Sequence, residues 1–222
     1  MKLLTSWDDG CRKDLRLADM LYEEGVDATF YWPCALEKSK NLDRVKQFLT
    51  MSDCKEIAAF FNVGSHGYNH TILKSGEECK KYPFACSTMR QVNGEIVRSR
   101  MFWQDTTGQD VDSFSYPSGK FTGEVKKLVE KAGYKNARST EIGSLDGGSD
   151  PYETPTTVHV GFDRSQYGGL PWGKFAEMMV EKSKSMPDSV FHLFGHSWEI
   201  DISNGWKELR SLLKTLKALS SD

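Results

Sequence analysis

Asp8 and Asp9 stand side by side in "LLTSWDDG", residues 3–10, between a short apolar run and a glycine. Two adjacent carboxylates there form either an acidic turn before a helix, where negative charge is favoured, or a site for something cationic. "HGYNH" favours the second reading. His66 and His70 are four apart, a spacing that sets both imidazoles on one side of a helical turn and lets them share one metal ion. Such a pair alone more often faces solvent or joins a polar network. With Asp9 as third donor, the set is two histidines, a carboxylate and an open position for water. That set suits Zn2+ and admits Co2+, Mn2+ or Ni2+. Asp8 is then placed as general base on a metal-activated water. His196, in "HLFGHSWE", is placed to protonate a leaving group; the plainer reading is a histidine bonded to a backbone carbonyl. His192, four residues earlier on the same strand, shares its face and reads as structural or supporting. His159 has no partner visible in the sequence.

These residues need elements to bring them together. Residues 2–7 read as a buried strand ending at Asp8, followed by a helix through Leu17, Met20 and Leu21 that stops at Gly25. "DATFYW", "FNVGS", "VDSFS", "YKNAR", "TTVHV" and "VFHLFG" read as further strands. Helices are expected over "LDRVKQFLT", with Leu42, Val45 and Leu49 on one face, and over "KEIAAFF", "GEIVRSRMFWQDTTG", "GEVKKLVEKAGY", "WGKFAEMMVEKS" and "WKELRSLLKTLKAL". Residues 71–91 read as an insertion or lid-like loop, and 141–152 as loop. No linker, repeat or low-complexity boundary interrupts the alternation, so residues 1–222 read as one catalytic domain. The fold class is α/β: about seven parallel strands with outer helices in a distorted (β/α) barrel, or alternatively an open doubly wound sheet. In both, function gathers at the carboxyl ends of strands. Asp8 and Asp9, His66 and His70, "YPSG", Arg138 and His196 all fall there.

Composition narrows the partners. Lys plus Arg total 29 and Asp plus Glu 31, a formal charge of −2, which gives no electrostatic case for nucleic acid or an anionic membrane. No apolar stretch approaches the roughly 20 residues of a membrane-spanning helix. The five cysteines, Cys11, Cys34, Cys54, Cys79 and Cys86, lack the C-x-x-C spacing. They fit a reducing compartment, with a Cys79–Cys86 disulfide as the alternative. A first strand beginning at Lys2 leaves no room for a signal peptide, which points to a cytoplasmic or otherwise intracellular setting; a viral origin or unconventional export would defeat that expectation.

Together these residues resemble the polysaccharide deacetylase family, also called carbohydrate esterase family four. The family's opening motif has the form T-F-D-D-G, matched by "TSWDDG" with Trp7 in the aromatic position. The next has the form H-[ST]-x-x-H, matched by "HGYNH" with Gly67 at the hydroxyl position. The last, L-x-H, is approximated by "LFGH". The resemblance implies a distorted (β/α) barrel that hydrolyses acetyl groups on sugars. It implies a divalent metal on Asp9, His66 and His70, with Asp8 as base and His196 as acid. The third motif, R-x-P-[YF]-G, reads "SYPSG" here. Ser115 stands for the base-orienting arginine and Ser118 for the aromatic. Pro117 and Gly119 keep the turn, the Ser118 amide is the candidate oxyanion donor, and Tyr116 and Pro117 are candidate oxyanion or substrate residues beside it. Arg138, at the end of the next strand, either supplies the missing guanidinium or is an ordinary surface arginine. The acidic-Trp fourth motif is not recognisable in "STEIGSLDGG", so the chain resembles a divergent branch.

Trp32 and Trp198 follow strand ends and are candidate platforms for a sugar ring, whereas Trp103 and Trp206 sit on helix faces as packing. The leading expectation is a metal-dependent deacetylase of N-acetylated sugars or polysaccharides. The alternatives are a related amidase on a small non-sugar amide and a non-catalytic carbohydrate-binding protein on the same scaffold. The expected partner is an acetylated glycan, with no nucleic acid and no membrane.

Overall fold

The computed structural model describes residues 1–36, 47–74 and 88–220. The helix expected through Leu42 and Val45, residues 75–87 of the lid-like loop, and the Cys79–Cys86 pairing lie outside these residues. Seven parallel strands form one sheet: β1 (Lys2–Asp8), β2 (Thr29–Trp32), β3 (Asn62–Ser65), β4 (Ser113–Ser115), β5 (Asn136–Arg138), β6 (Val158–Val160) and β7 (Val190–Gly195). Their order is β5-β4-β3-β2-β1-β7-β6. One extended stretch links the two edges. On the β5 side, Ala137 N–H donates to Pro151 C=O and Ser139 N–H to Thr154 C=O; on the β7 side, Thr157 N–H donates to His192 C=O. The sheet therefore curls into the distorted barrel, not the open doubly wound alternative.

The helices are α1 (Asp14–Glu23), α2 (Met51–Ala58), α3 (Met89–Thr107), α4 (Gly123–Lys131), α5 (Trp172–Lys184), α6 (Ser197–Ile202) and α7 (Trp206–Ser220). Two begin earlier than their apolar spacing suggests, because side-chain caps start them. Thr50 Oγ1 accepts the Asp53 N–H ahead of α2, and Thr88 Oγ1 accepts the Gln91 N–H ahead of α3. Residues 47–50 are not helical: Phe48 bridges Cys11 in antiparallel fashion. The short helix α6, directly after His196, has no counterpart among the expected elements. No described helix is long and apolar enough to cross a membrane.

Strand alternation sorts side chains into two layers. Trp7, Phe30, Trp32, Val63, Phe114, Phe191 and Leu193 are buried in the hydrophobic core. Residues of opposite parity meet on the other face and are largely polar. Ser6 Oγ lies 2.9 Å from His192 Nε2, and Arg138 lies over the rings of Phe194 and Tyr31 at 4.5 and 5.5 Å. Gly64 makes room there, since a Cβ would stand 2.3 Å from the Tyr31 ring.

This parity corrects the reading of Trp32 as a sugar platform. Trp32 shares the buried face of Phe30 and is 0% exposed. Its ring packs 5.4 Å from that of Trp103, and its Nε1 donates to Asp14 Oδ2 at 3.1 Å. Trp103 and Trp206 are buried packing residues, as expected. Trp32→Ala should cost about 3–5 kcal/mol in urea unfolding, the usual penalty for a large aromatic cavity. Unchanged stability with a raised KM would instead restore the platform role.

Candidate metal centre and active-site cleft

Three donors from two strand ends converge. Asp9 follows β1, and His66 and His70 follow β3; their ligand atoms all lie within 4.8 Å of one another. Asp9 Oδ1 is 3.1 Å from His70 Nε2 and 3.7 Å from His66 Nε2. All three residues are buried. The residues fit a metal on a detail of tautomer. His66 Nδ1 lies 2.8 Å from the Ser115 carbonyl, which fixes the proton on Nδ1 and turns the Nε2 lone pair toward Asp9. Burial lowers the His66 pKa to about 4, so the ring is neutral, as a ligand must be. Asp9 is held well below the usual carboxylate range: burial opposes this, but His196, His70 and His66 outweigh it.

The expected helical turn between the histidines is absent. Residues 66–70 form a bend in which Gly67 has φ +76° and His70 φ +54°, so the four-residue spacing is met by a tight loop. Asp9 and Ser118 also have positive φ, +82° and +56°. Of the four such non-glycine residues among those described, three are candidate site residues. Backbone strain of this kind persists where surroundings over-determine it.

Arg138 is not an ordinary surface arginine. It is 1% exposed, and its Nη2 donates to Asp8 Oδ2 and, at 2.6 Å, to Ser115 Oγ. Ser115 Oγ itself lies 3.3 Å from Asp8 Oδ2. Ser115 and Arg138 are register partners across β4 and β5. A guanidinium on the neighbouring strand thus reaches the carboxylate that Ser115 is too short to charge-pair. Burial opposes ionisation of Asp8, but Arg138 leads the charges that hold its pKa below the ordinary value. Asp8 Oδ1 accepts no hydrogen bond from the described residues.

His196 caps the other side. Its Nε2 is 3.6 Å from Asp9 Oδ2, and its Nδ1 is 3.4 Å from Glu199 Oε2. Burial alone would lower its pKa, but Asp9 and Glu199 raise it to about 9. Its ring therefore sits between two carboxylates, Asp9 and Glu199. His159 gains the partner that the sequence does not show. Its Nε2 lies 2.9 Å from Glu199 Oε2 and 2.8 Å from Arg164 Nη2. Arg164 Nη2 is 2.6 Å from Glu199 Oε2. The guanidinium thus contacts two members, His159 and Glu199, of this second His–His–Glu cluster. Glu199, one turn beyond His196 on α6, is legible as an i, i+3 neighbour once that helix is recognised. His192 supports the interior through Ser6, with its pKa pushed to about 3 by burial and by Arg138.

A cavity of about 360 Å³ opens above these groups, bordered by Asp8, His66, Ser118, His196 and Trp198 among others. Pro117–Gly119 form a tight turn whose own bonds run from Gly119 N–H to Tyr116 C=O and from Lys120 N–H to Pro117 C=O. The Ser118 amide is not used in them. Tyr116 contributes wall only: it is fully buried, and its hydroxyl donates to the Tyr152 carbonyl at 2.9 Å. Trp198 borders the cavity, and its Nε1 points to Asp9 Oδ2 at 3.4 Å.

Comparison with known proteins supports the fold. The fold resembles a putative polysaccharide deacetylase from Mycobacterium smegmatis (TM-score 0.67, 13% identity, covering 100% of this chain and 84% of that one). It also resembles the Streptococcus pyogenes deacetylase PplD in complex with acetate (TM-score 0.58, 16% identity, covering 69% and 62%). A third is BA3943 from Bacillus anthracis, a CE4 family pseudoenzyme (TM-score 0.59, 15% identity, covering 98% and 60%). The chain thus spans about three fifths of the length of the last two, and at these identities the likeness is one of fold. No curated protein matches the sequence. The model of the family described as polysaccharide deacetylase matches residues 2–137, a stretch that includes Asp8, Asp9, His66 and His70 and ends one residue before Arg138. With more than half the sequence matched on a barrel of the same kind, the chain belongs to the polysaccharide deacetylase family.

Proposed function

We propose that the chain is a metal-dependent hydrolase that removes acetyl groups from N-acetylated sugars or polysaccharides. The observation that carries this reading is the divided state of Asp8. One oxygen is held by Arg138 and Ser115, and the other is left open beside the Asp9, His66 and His70 donor set. Asp9, His66 and His70 would hold the ion, with Zn2+ the best match to the donors and Co2+, Mn2+ and Ni2+ as alternatives. When bound, the ion would acidify a water and polarise the acetyl carbonyl. Asp8, kept ionised by Arg138, takes the proton of the attacking water through Oδ1. The Ser118 amide donates to the oxygen that gains negative charge. His196, charged at neutral pH and held by Glu199, passes its proton to the leaving amine. Base and acid carry shifts in opposite directions, the pattern that assigns the two roles. Trp198 lies where it would flank the sugar.

Acetate release from a panel of N-acetylated sugars should vanish on chelation, return with Zn2+ or Co2+, and fall about 100- to 10,000-fold in Asp8→Asn. Activity that survives both treatments would refute the reading. Turnover confined to small non-sugar amides would place the chain with the amidases, and glycan binding without turnover with the non-catalytic proteins.

Arg138→Ser should raise the Asp8 pKa, because the charge that lowers it is gone. The acidic limb of the pH profile of kcat/KM then moves to higher pH. Moving the guanidinium back across the β4–β5 register, in the double variant Ser115→Arg with Arg138→Ser, should return the limb toward its original position. A limb that stays put in the single variant would remove Arg138 from the mechanism.

A further inference from the structure

Glu95, on α3, is buried with 8% exposure, and it is not among the described residues that line the cleft. Among the described residues, its carboxylate's hydrogen bonds all go to the loop between the two histidines. Oε2 accepts the Tyr68 N–H at 3.0 Å and the Asn69 N–H at 2.7 Å, and Oε1 accepts Asn69 Nδ2 at 2.5 Å. The loop's carbonyls are held from the other side: Cys34 N–H donates to Gly67 C=O at 3.2 Å and Ala35 N–H to Tyr68 C=O at 2.8 Å. One turn further along α3, the guanidinium of Arg98 lies 4.1 Å from the centre of the Tyr68 ring.

We infer that Glu95 is a positioning residue that sets the loop between His66 and His70 so that both imidazoles face one ion. The inference rests on the proposed metal site. His66 is fixed independently, at Nδ1 by Ser115 and at its backbone N–H by Trp32 C=O. His70 is different. It follows the two amides that Glu95 holds, and its own backbone is left-handed, a conformation a β-substituted residue adopts only under constraint. The position that resembles a hydroxyl-bearing site in the family motif is Gly67, which brings no side chain to brace the loop. Glu95 provides the bracing from a helix instead, and its charge makes each bond stronger than a neutral acceptor would. Groups that orient ligands from outside the first layer commonly control metal affinity by about 10- to 100-fold.

The test is Zn2+ affinity, read by competition with a chromophoric chelator, together with apoprotein Tm, for the full chain and its Glu95→Ala and Glu95→Gln variants. Glu95→Ala should weaken Zn2+ binding by about 10- to 100-fold. Glu95→Gln keeps one carbonyl oxygen for the two backbone amides and should lie closer to the unmodified chain. If Glu95→Ala does not fold, Glu95→Asp, whose carboxylate is withdrawn by one methylene, carries the same expectation of weakened binding. Unaltered Zn2+ affinity in a variant whose apoprotein Tm has fallen makes Glu95 merely structural and overturns the inference while leaving the metal site intact. Failure of the unmodified chain to bind Zn2+, Co2+, Mn2+ or Ni2+ overturns the proposed site itself, and the inference with it.

Discussion

The ion pair between Asp8 and Arg138 is the constraint around which the barrel interior is arranged. Both groups are almost wholly buried, and burying two charges is costly unless partners complete the solvation that water would have supplied. The interior supplies many of those partners, though Asp8 Oδ1 and Arg138 Nε have none among the described residues. Ser115 Oγ bridges the two, the Ser139 carbonyl accepts a second guanidinium N–H, and the rings of Phe194 and Tyr31 lie against the guanidinium plane. Gly64 gives the Tyr31 ring its space. His192 stays neutral beside the positive charge. The more usual filling of such a barrel, stacked branched aliphatic side chains, would offer none of this.

From that pair the charges alternate outward. Asp8 and Asp9 are adjacent, and their mutual repulsion is answered by Arg138 on one and by the histidines on the other. His196 is then held between Asp9 and Glu199, and Glu199 between His159, His196 and Arg164. Each charged member of this series faces at least one group of opposite sign. Strain is concentrated in the same place, at Asp9, His70 and Ser118.

Much of the site is legible in the sequence because strands end abruptly. A polar residue that follows an apolar run is conspicuous, and parallel strands put such residues at one mouth; Asp8, Asp9, His66, His70 and His196 all stand out this way. Arg138 stands out as a candidate, but only the register with Ser115 decides whether its side chain turns to Asp8 or to solvent. For Trp32, a place after a strand suggests a platform, and parity with Phe30 overrules it. For the histidine loop, an i, i+4 interval describes a helical turn and a tight loop equally; Gly67 is the sign of the latter. Glu95 illustrates the limit. It matters through a contact with another element, and nothing in its own neighbourhood of sequence marks it, whereas Glu199 is marked by its i, i+3 spacing from His196 once the short helix is recognised. The start of α3 is within reach, since "TMRQ" carries a capping pattern.

The strand order has a consequence for how the protein comes into being. β1 carries Asp8 and runs into Asp9, and it lies between β2 and β7, one of its earliest neighbours in the chain and one of its last. A ribosome releases the chain from the amino end, so β1 to β3, with Asp9, His66 and His70, emerge first. Arg138 follows, and His196 arrives only with the closing strand. During synthesis the two aspartates therefore stand next to each other before either the guanidinium or the imidazolium that balances them exists.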